Sequence, residues 1–140
     1  MKNLNVYEFN GNLEKAIKNG EINQLIFISG NNYGIQKFLK SLGDNKEILP
    51  TENFPFLQNL ITYRTPFRIG PQQIRVIYID NIIDKNNINI EQLKKSLENI
   101  TRKYKYSVIG FPISGSASQF SEEIKKCIYS STCYGKIAII

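Results

Sequence analysis

The chain contains no histidine and no tryptophan, two cysteines and a single methionine. Without histidine, Ser-His-Asp and Cys-His arrangements and every imidazole acid–base step are excluded. A zinc set goes with them, because Cys127 and Cys133 alone cannot complete four ligands. A disulfide framework is not expected: Cys127 falls on the apolar face of a helix and Cys133 in the loop after it, in a chain that reads as intracellular. No apolar run approaches bilayer length, so no membrane partner is expected. The stretch from Met1 to Tyr7 lacks a signal-peptide apolar core. The expected compartment is therefore a cytoplasm, that of the host were the source viral. Internal repeats and Gly/Ser linkers are lacking too. The want of tryptophan accompanies a wealth of Ile, Asn and Lys, the composition that AT-rich genomes impose, and it carries no functional information.

What is present suits one ordinary domain over residues 1–140, with 41% hydrophobic and 21% charged residues. That length is enough to build a core. The formal net charge is +6, which favours polyanions such as nucleotides or nucleic acid. The lysines are scattered, often beside acids, with no run longer than two. A nucleic-acid groove is accordingly ranked below a single anionic pocket, and the plain alternative is that the charge serves solubility.

The elements alternate between strand and helix. Leu4 to Phe9 reads as a strand. Asn12 is an N-cap for a short helix with Leu13, Ala16 and Ile17 on one face and Gly20 at its end. Gln24 to Ser29 reads as a buried strand. After the loop Ser29–Gly34, Ile35, Phe38, Leu39 and Leu42 follow helical spacing, and Gly43 closes that helix. Leu49 to Pro71 holds four of the five prolines together with Phe54, Phe56, Tyr63, Arg64, Phe67 and Arg68. It is expected to carry a short helix near Phe56–Ile61 and to serve either as a binding loop or as cover for a sheet edge. Arg75 to Asp80 is a strand, and Asp84 to Asn89 a loop. Asn89 caps a longer helix with Ile90, Leu93, Leu97 and Ile100 inward and the pairs Glu91–Lys95 and Glu98–Arg102 on its wet face. Tyr106 to Phe111 is a strand. The helix after it uses Phe120, Ile124, Cys127 and Ile128, and Lys136 to Ile140 is the last strand. Such alternation predicts a three-layer α/β/α sandwich with a mixed, mostly parallel sheet and right-handed crossovers.

Two loops carry the functional signal. Ser114-Gly115-Ser116-Ala117 follows a strand ending in Pro112 and opens a helix with Glu122 and Glu123 in its first turn. Loops of this kind present N–H groups and a helix dipole to an anion. The plain reading is an ordinary turn with Ser118 or Ser121 as N-cap. In the other loop, Gly30 and Gly34 permit close backbone approach, and Asn31 and Asn32 tolerate unusual backbones while offering hydrogen bonds. Together the loops could grip two ends of one diphosphate. Asp80 and Asn81 end a central strand, where catalytic groups often sit, although a lone Asp there is more commonly a turn former. Glu122 and Glu123 point in different directions and do not form a carboxylate pair. Phe120 is read as core, with an apolar wall against a sugar or base as the sharper alternative.

The order of these elements resembles the macro domain, an ADP-ribose-binding module. Gly11-Asn12-Leu13 stands where macro domains carry Gly-Asp-Ile/Leu, whose acid contacts adenine. Glu21 to Ser29 resembles the strand leading into the first ligand loop, and Gly34-Ile35 the opening of the next helix. Ile109-Gly-Phe-Pro-Ile-Ser-Gly115 resembles the strand and diphosphate loop. Asn12 departs from the adenine-reading Asp, and the first loop lacks the family's Asn-Ala-Ala-Asn and Gly-Gly-Gly runs. Macro hydrolases act through a Lys after the central strand and an Asp in the last loop. Asn81 and Ala117 stand there, and neither can serve as nucleophile or acid–base group.

The resemblance therefore implies a divergent macro-like domain that binds ADP-ribose or a related nucleotide, or an ADP-ribosylated protein, without turnover and without a cofactor or metal. Asn12, Leu13, Ser29, Gly30, Asn31, Asn32, Gly34, Ile35, Ser114, Gly115, Ser116, Ala117 and Phe120 would line the site. The alternatives are an ADP-ribosyl hydrolase using non-standard groups such as Asp80, and a protein- or nucleic-acid-interaction module that has lost the pocket.

Overall fold

Leu25-Ile-Phe-Ile28 is apolar at every position because both of its faces are covered. Ile26 and Ile28 belong to one hydrophobic cluster, Leu25 and Phe27 to the other, as the two-residue period of a strand between two layers requires. The structure is a computed structural model that describes residues 5–28, 37, 40–41, 51–53, 61–64, 67–69, 71–79, 82–84, 86–113, 115–131 and 134–140. The loop Ser29–Gly34, the positions Ile35, Asp80, Asn81, Ser114 and Cys133, and most of the helix expected after Gly34 lie outside the described residues. Lys37, Lys40 and Ser41 of that expected helix are helical.

In chain order the elements are β1 (Val6–Glu8), α1 (Leu13–Lys18), β2 (Gln24–Ile28), β3 (Thr51–Asn53), β4 (Ile61–Arg64), β5 (Phe67–Ile69), β6 (Gln72–Ile79), β7 (Ile83–Asp84), β8 (Asn87–Ile88), α2 (Ile90–Lys103), β9 (Val108–Phe111), a 3₁₀ segment Gly115–Phe120, α3 (Ser121–Ser130) and β10 (Lys136–Ile139). The main sheet runs β1-β10-β9-β2-β6-β4-β3. Its first five strands are parallel, and β4 and β3 continue it antiparallel. The expected α/β class with a mixed, mostly parallel sheet is thus observed.

One face carries α2 and α3. Leu93, Leu97 and Ile100 from α2 and Ile124, Cys127 and Ile128 from α3 close over Ile26, Ile77, Ile109, Phe111, Ile137 and Ile139. The opposite face carries α1, whose Ala16 and Ile17 cover Leu25, Phe27, Ile74, Val76 and Tyr78. From β1 to β2 the chain crosses the sheet in one direction with α1 on one face. From β6 to β9 and on to β10 it crosses the other way, with α2 and α3 on the other face. Opposite directions on opposite faces are what a single crossover hand demands.

The helix ends follow their signals. Asn12 Oδ1 accepts from Lys15 N at 2.9 Å. After α1, Gly20 at φ 77° allows Gly20 N to donate to Ile17 O and Glu21 N to Ala16 O, the paired closure of a Schellman motif. Asn89 Oδ1 accepts from Gln92 N at 3.0 Å.

Of the helix expected near Phe56–Ile61, residues 56–60 lie outside the described residues, and Ile61 opens β4. Other expectations are resolved or corrected. The Leu49–Pro71 segment supplies β3, β4 and β5, so in its described parts it extends the sheet edge. The β4 and β5 pairings along β6 are offset by one residue. The Asp84–Asn89 loop contains a hairpin, Ile83 opposite Ile88 and Asp84 opposite Asn87. The helix after β9 is not capped by Ser118 or Ser121: α3 begins at Ser121 behind Phe120, with no side-chain cap, because the 3₁₀ segment leads directly into it. The pairs expected along α2 also do not close. Among the described residues, ion pairs join Lys18 to Glu14 at 2.8 Å and Lys125 to Glu8 at 3.5 Å.

Candidate functional site

The loops singled out in the sequence leave the carboxyl ends of β2 and β9, which are neighbours in the sheet. Among the described residues, the two strands are tied at their amino ends alone. Asn23 N donates to Val108 O at 2.9 Å, and Val108 N donates to Asn23 Oδ1 at 2.9 Å. Gln24 lies opposite Ile109 and Leu25 opposite Gly110, and there the register pairs of these two strands stop. On its other side β2 stays paired with β6 as far as Ile28 opposite Ile79. β9 likewise stays with β10 through Phe111 opposite Ile139. Beyond that point Ile140 N donates to Phe111 O at 3.1 Å and Ile113 N to Ile140 O at 3.5 Å. Pro112, which has no N–H, falls where the β2–β9 ladder would continue. The end of β9 therefore follows β10 and leaves β2.

This parting coincides with a change in winding. The chain leaves β2 toward the β6 side of the sheet and leaves β9 toward β10. Open parallel sheets place ligands at such a switch point, outside the carboxyl ends of the strands. Gly110 adds a local reason for the shape. A Cβ there would meet Leu25 Cδ2 at 2.9 Å, Ile140 Cδ1 at 3.0 Å and Ile22 Cγ2 at 3.2 Å, so glycine lets β9 lie close over that face.

The sequence-derived site residues fall as follows. Gly115 and Ser116 begin the 3₁₀ segment, whose first N–H groups have no partner inside the run. Ala117 and Phe120 turn inward and are 2% and 9% exposed, packed in the cluster beneath α2 and α3. Asn12 is exposed at the start of α1, and Leu13 packs partly buried on the α1 face. Because β1, α1 and β2 form one crossover, Asn12 and Leu13 start at the carboxyl end of the sheet, as do Gly115 and Ser116. Asn12 Oδ1 is occupied by its capping bond, which leaves Nδ2 as the polar group this side chain could offer a ligand.

The charge at this end has two parts. Glu91, Glu122 and Glu123 lie in first helical turns and are exposed. They match the helix dipoles and oppose an incoming anion, while Lys125, 3.5 Å from Glu8 at the end of β1, brings a cation to the same end. Among the described residues, no cluster of three or more metal-ligating side chains forms.

A different group went unread in the sequence. At the amino end of the sheet, Arg75 Nη1 donates to the Tyr104 hydroxyl and its guanidinium lies 5.0 Å from the Tyr104 ring centroid. Lys105 Nζ lies 5.3 Å from the Tyr106 ring centroid. The alternation Lys103-Tyr-Lys-Tyr106 carried the signal, but Tyr106 read there as the start of a strand. No family model matches this chain, and no curated protein and no solved structure matches it significantly.

Proposed function

We propose that the protein binds ADP-ribose or a related nucleotide diphosphate where β2 and β9 part, and that it does so without turning the ligand over. The observation that carries this reading is the early end of the β2–β9 ladder at the switch point of a mostly parallel sheet. The diphosphate would lie between the Ser29–Gly34 loop and the start of the 3₁₀ segment at Gly115, with Asn12 toward the base. The resemblance to macro domains supplies the ligand's identity. Lack of turnover follows from Ala117, a buried methyl group where that family's hydrolases carry an acid.

Calorimetric titration with ADP-ribose, and with AMP, ADP and NAD for comparison, tests the proposal. Micromolar binding selective for ADP-ribose is expected. Gly115→Glu should abolish it by bulk and like charge; a folded Gly115→Glu variant that binds normally would place the ligand elsewhere.

A further inference from the structure

We propose a second binding surface at the opposite end of the sheet, and its partner is single-stranded nucleic acid. Two turns meet there. One is Tyr104–Ser107, between α2 and β9; the other is Tyr134–Gly135, before β10. Lys136 N donates to Ser107 O at 3.2 Å. Gly135 has φ 72°, and a Cβ on it would lie 2.7 Å from Ser107 O and 2.8 Å from Lys105 O. The turns are thus in backbone contact, and the ladder register, Lys136 opposite Val108, sets Tyr134 level with Tyr106.

Both tyrosines face water. Tyr106 is 90% exposed and Tyr134 42%. A tyrosine left so bare contributes little to the fold. Four cations share the surface. Arg75 and Lys103 flank the Tyr104 ring, Lys103 Nζ at 5.5 Å from its centroid. Lys105 lies against Tyr106, and Lys136 is exposed at the start of β10. The acids Glu91, Glu122 and Glu123 sit in first helical turns at the other end of the sheet. Among the described residues, Glu21, after α1, is an exposed acid at the amino end.

Cations interleaved with exposed rings fit a chain that alternates phosphate and base. Each base offers a face for stacking, and the backbone supplies the charge. An acidic peptide would use the cations and leave the rings idle. A duplex would offer its charge and hide its base faces.

The test is fluorescence anisotropy with oligo(U) and oligo(dT) of about twelve nucleotides, a length that spans a typical site. Both should bind. Neutralising about four phosphates on a single strand should weaken affinity about fifty-fold between about 50 and about 200 mM salt. Tyr106→Ala should weaken binding about fivefold or more while Tyr106→Phe, which keeps the ring, should not. Lys105→Ala with Lys136→Ala should flatten the log–log salt slope by about 1.4. Stronger binding of oligo(U) would assign RNA, and equal binding would assign a strand read without its 2′-hydroxyl; either supports the surface. Saturating ADP-ribose should leave the affinity unchanged, whereas displacement by ADP-ribose would put the strand in the β2–β9 opening and overturn the proposal. So would absence of binding at about 50 mM salt, indifference to Tyr106→Ala, or equal capture of polyglutamate.

Discussion

Gly135 joins backbone geometry to both the fold and the amino-end surface, and replacing it with alanine has a calculable cost. Its φ of 72° lies in the left-handed region, and an added Cβ would sit 2.7 and 2.8 Å from two backbone carbonyl oxygens. The backbone conformation alone costs an alanine about 1–2 kcal/mol. Forcing a methyl group against fixed backbone adds about 1–3 kcal/mol, for a sum of about 2–5 kcal/mol. Gly20 is the internal control. Its φ is 77°, but the nearest atom to an added Cβ is Gln72 Nε2 at 3.7 Å, an ordinary contact. Gly20→Ala therefore isolates the conformational part. With about 2.1 cal/mol/K of unfolding entropy per residue, each kcal/mol moves the Tm of a chain this long by about 3 °C. Gly20→Ala should melt about 3–7 °C below the parent and Gly135→Ala about 7–17 °C below, in thermal scans by far-UV circular dichroism. Equal shifts in the two variants would show that the carbonyl contacts at Gly135 do not constrain the fold.

Three further outcomes are expected. Ser96 Oγ is buried on α2 with no hydrogen-bond partner, so Ser96→Ala should leave stability unchanged or raise it by about 1 kcal/mol in urea unfolding; a loss of that size would reveal a partner. Burial pushes the Cys127 thiol up, a hydrogen bond from Ser131 and the charge of Lys94 oppose this, and Glu98 adds to it. Above the ordinary thiol value the unfolded chain loses that proton and the folded one keeps it. The thiol's contribution is then complete below that value and falls as pH rises, by at most about 1.4 kcal/mol per pH unit. The stability gap between the parent and Cys127→Ala should accordingly narrow from pH ~7.5 to ~9.5 in reductant, and a gap independent of pH would refute the shift. Changing Glu122 and Glu123 to Gln should cost α3 about 0.3–1 kcal/mol per site yet tighten ADP-ribose binding at low salt; weaker binding would mean that these carboxylates hold the ligand instead of repelling it.

Local chemistry was legible in the sequence wherever one segment decides its own structure. Asn12 and Asn89 announced their caps, Gly20 its helix end, and the unbroken apolar run of β2 its place inside the sheet. The Leu49–Pro71 segment was opaque for the opposite reason. Thr51–Asn53 has no apolar period, and these strands of three or four residues depend on the edges their neighbours offer, β6 for β4 and β5 and β4 for β3. The site was legible as two loops, each following a strand. That β2 and β9 are neighbours, and part after Leu25 and Gly110, depends on strand order, which no local spacing encodes. Phe120 was legible as core from its place on the apolar face of the last helix, whereas Ala117 turns inward through packing beneath α2 and α3, and a loop rich in small residues does not reveal that direction.

The pairing of β1 with β10 has a consequence for the order of assembly. Val6 pairs with Ile137, 131 positions later, so β1 has no place to dock until nearly all the intervening chain has been made. At about 5–20 residues per second, the ribosome imposes a wait of roughly 7 to 26 s. During that interval β2, β6 and β9 can already associate around α2, while Val6-Tyr7-Glu8 remains an unpaired strand. Seating β1 closes the longest loop in the sheet and is therefore a late event, in which a nascent chain held by a chaperone would differ from a finished one.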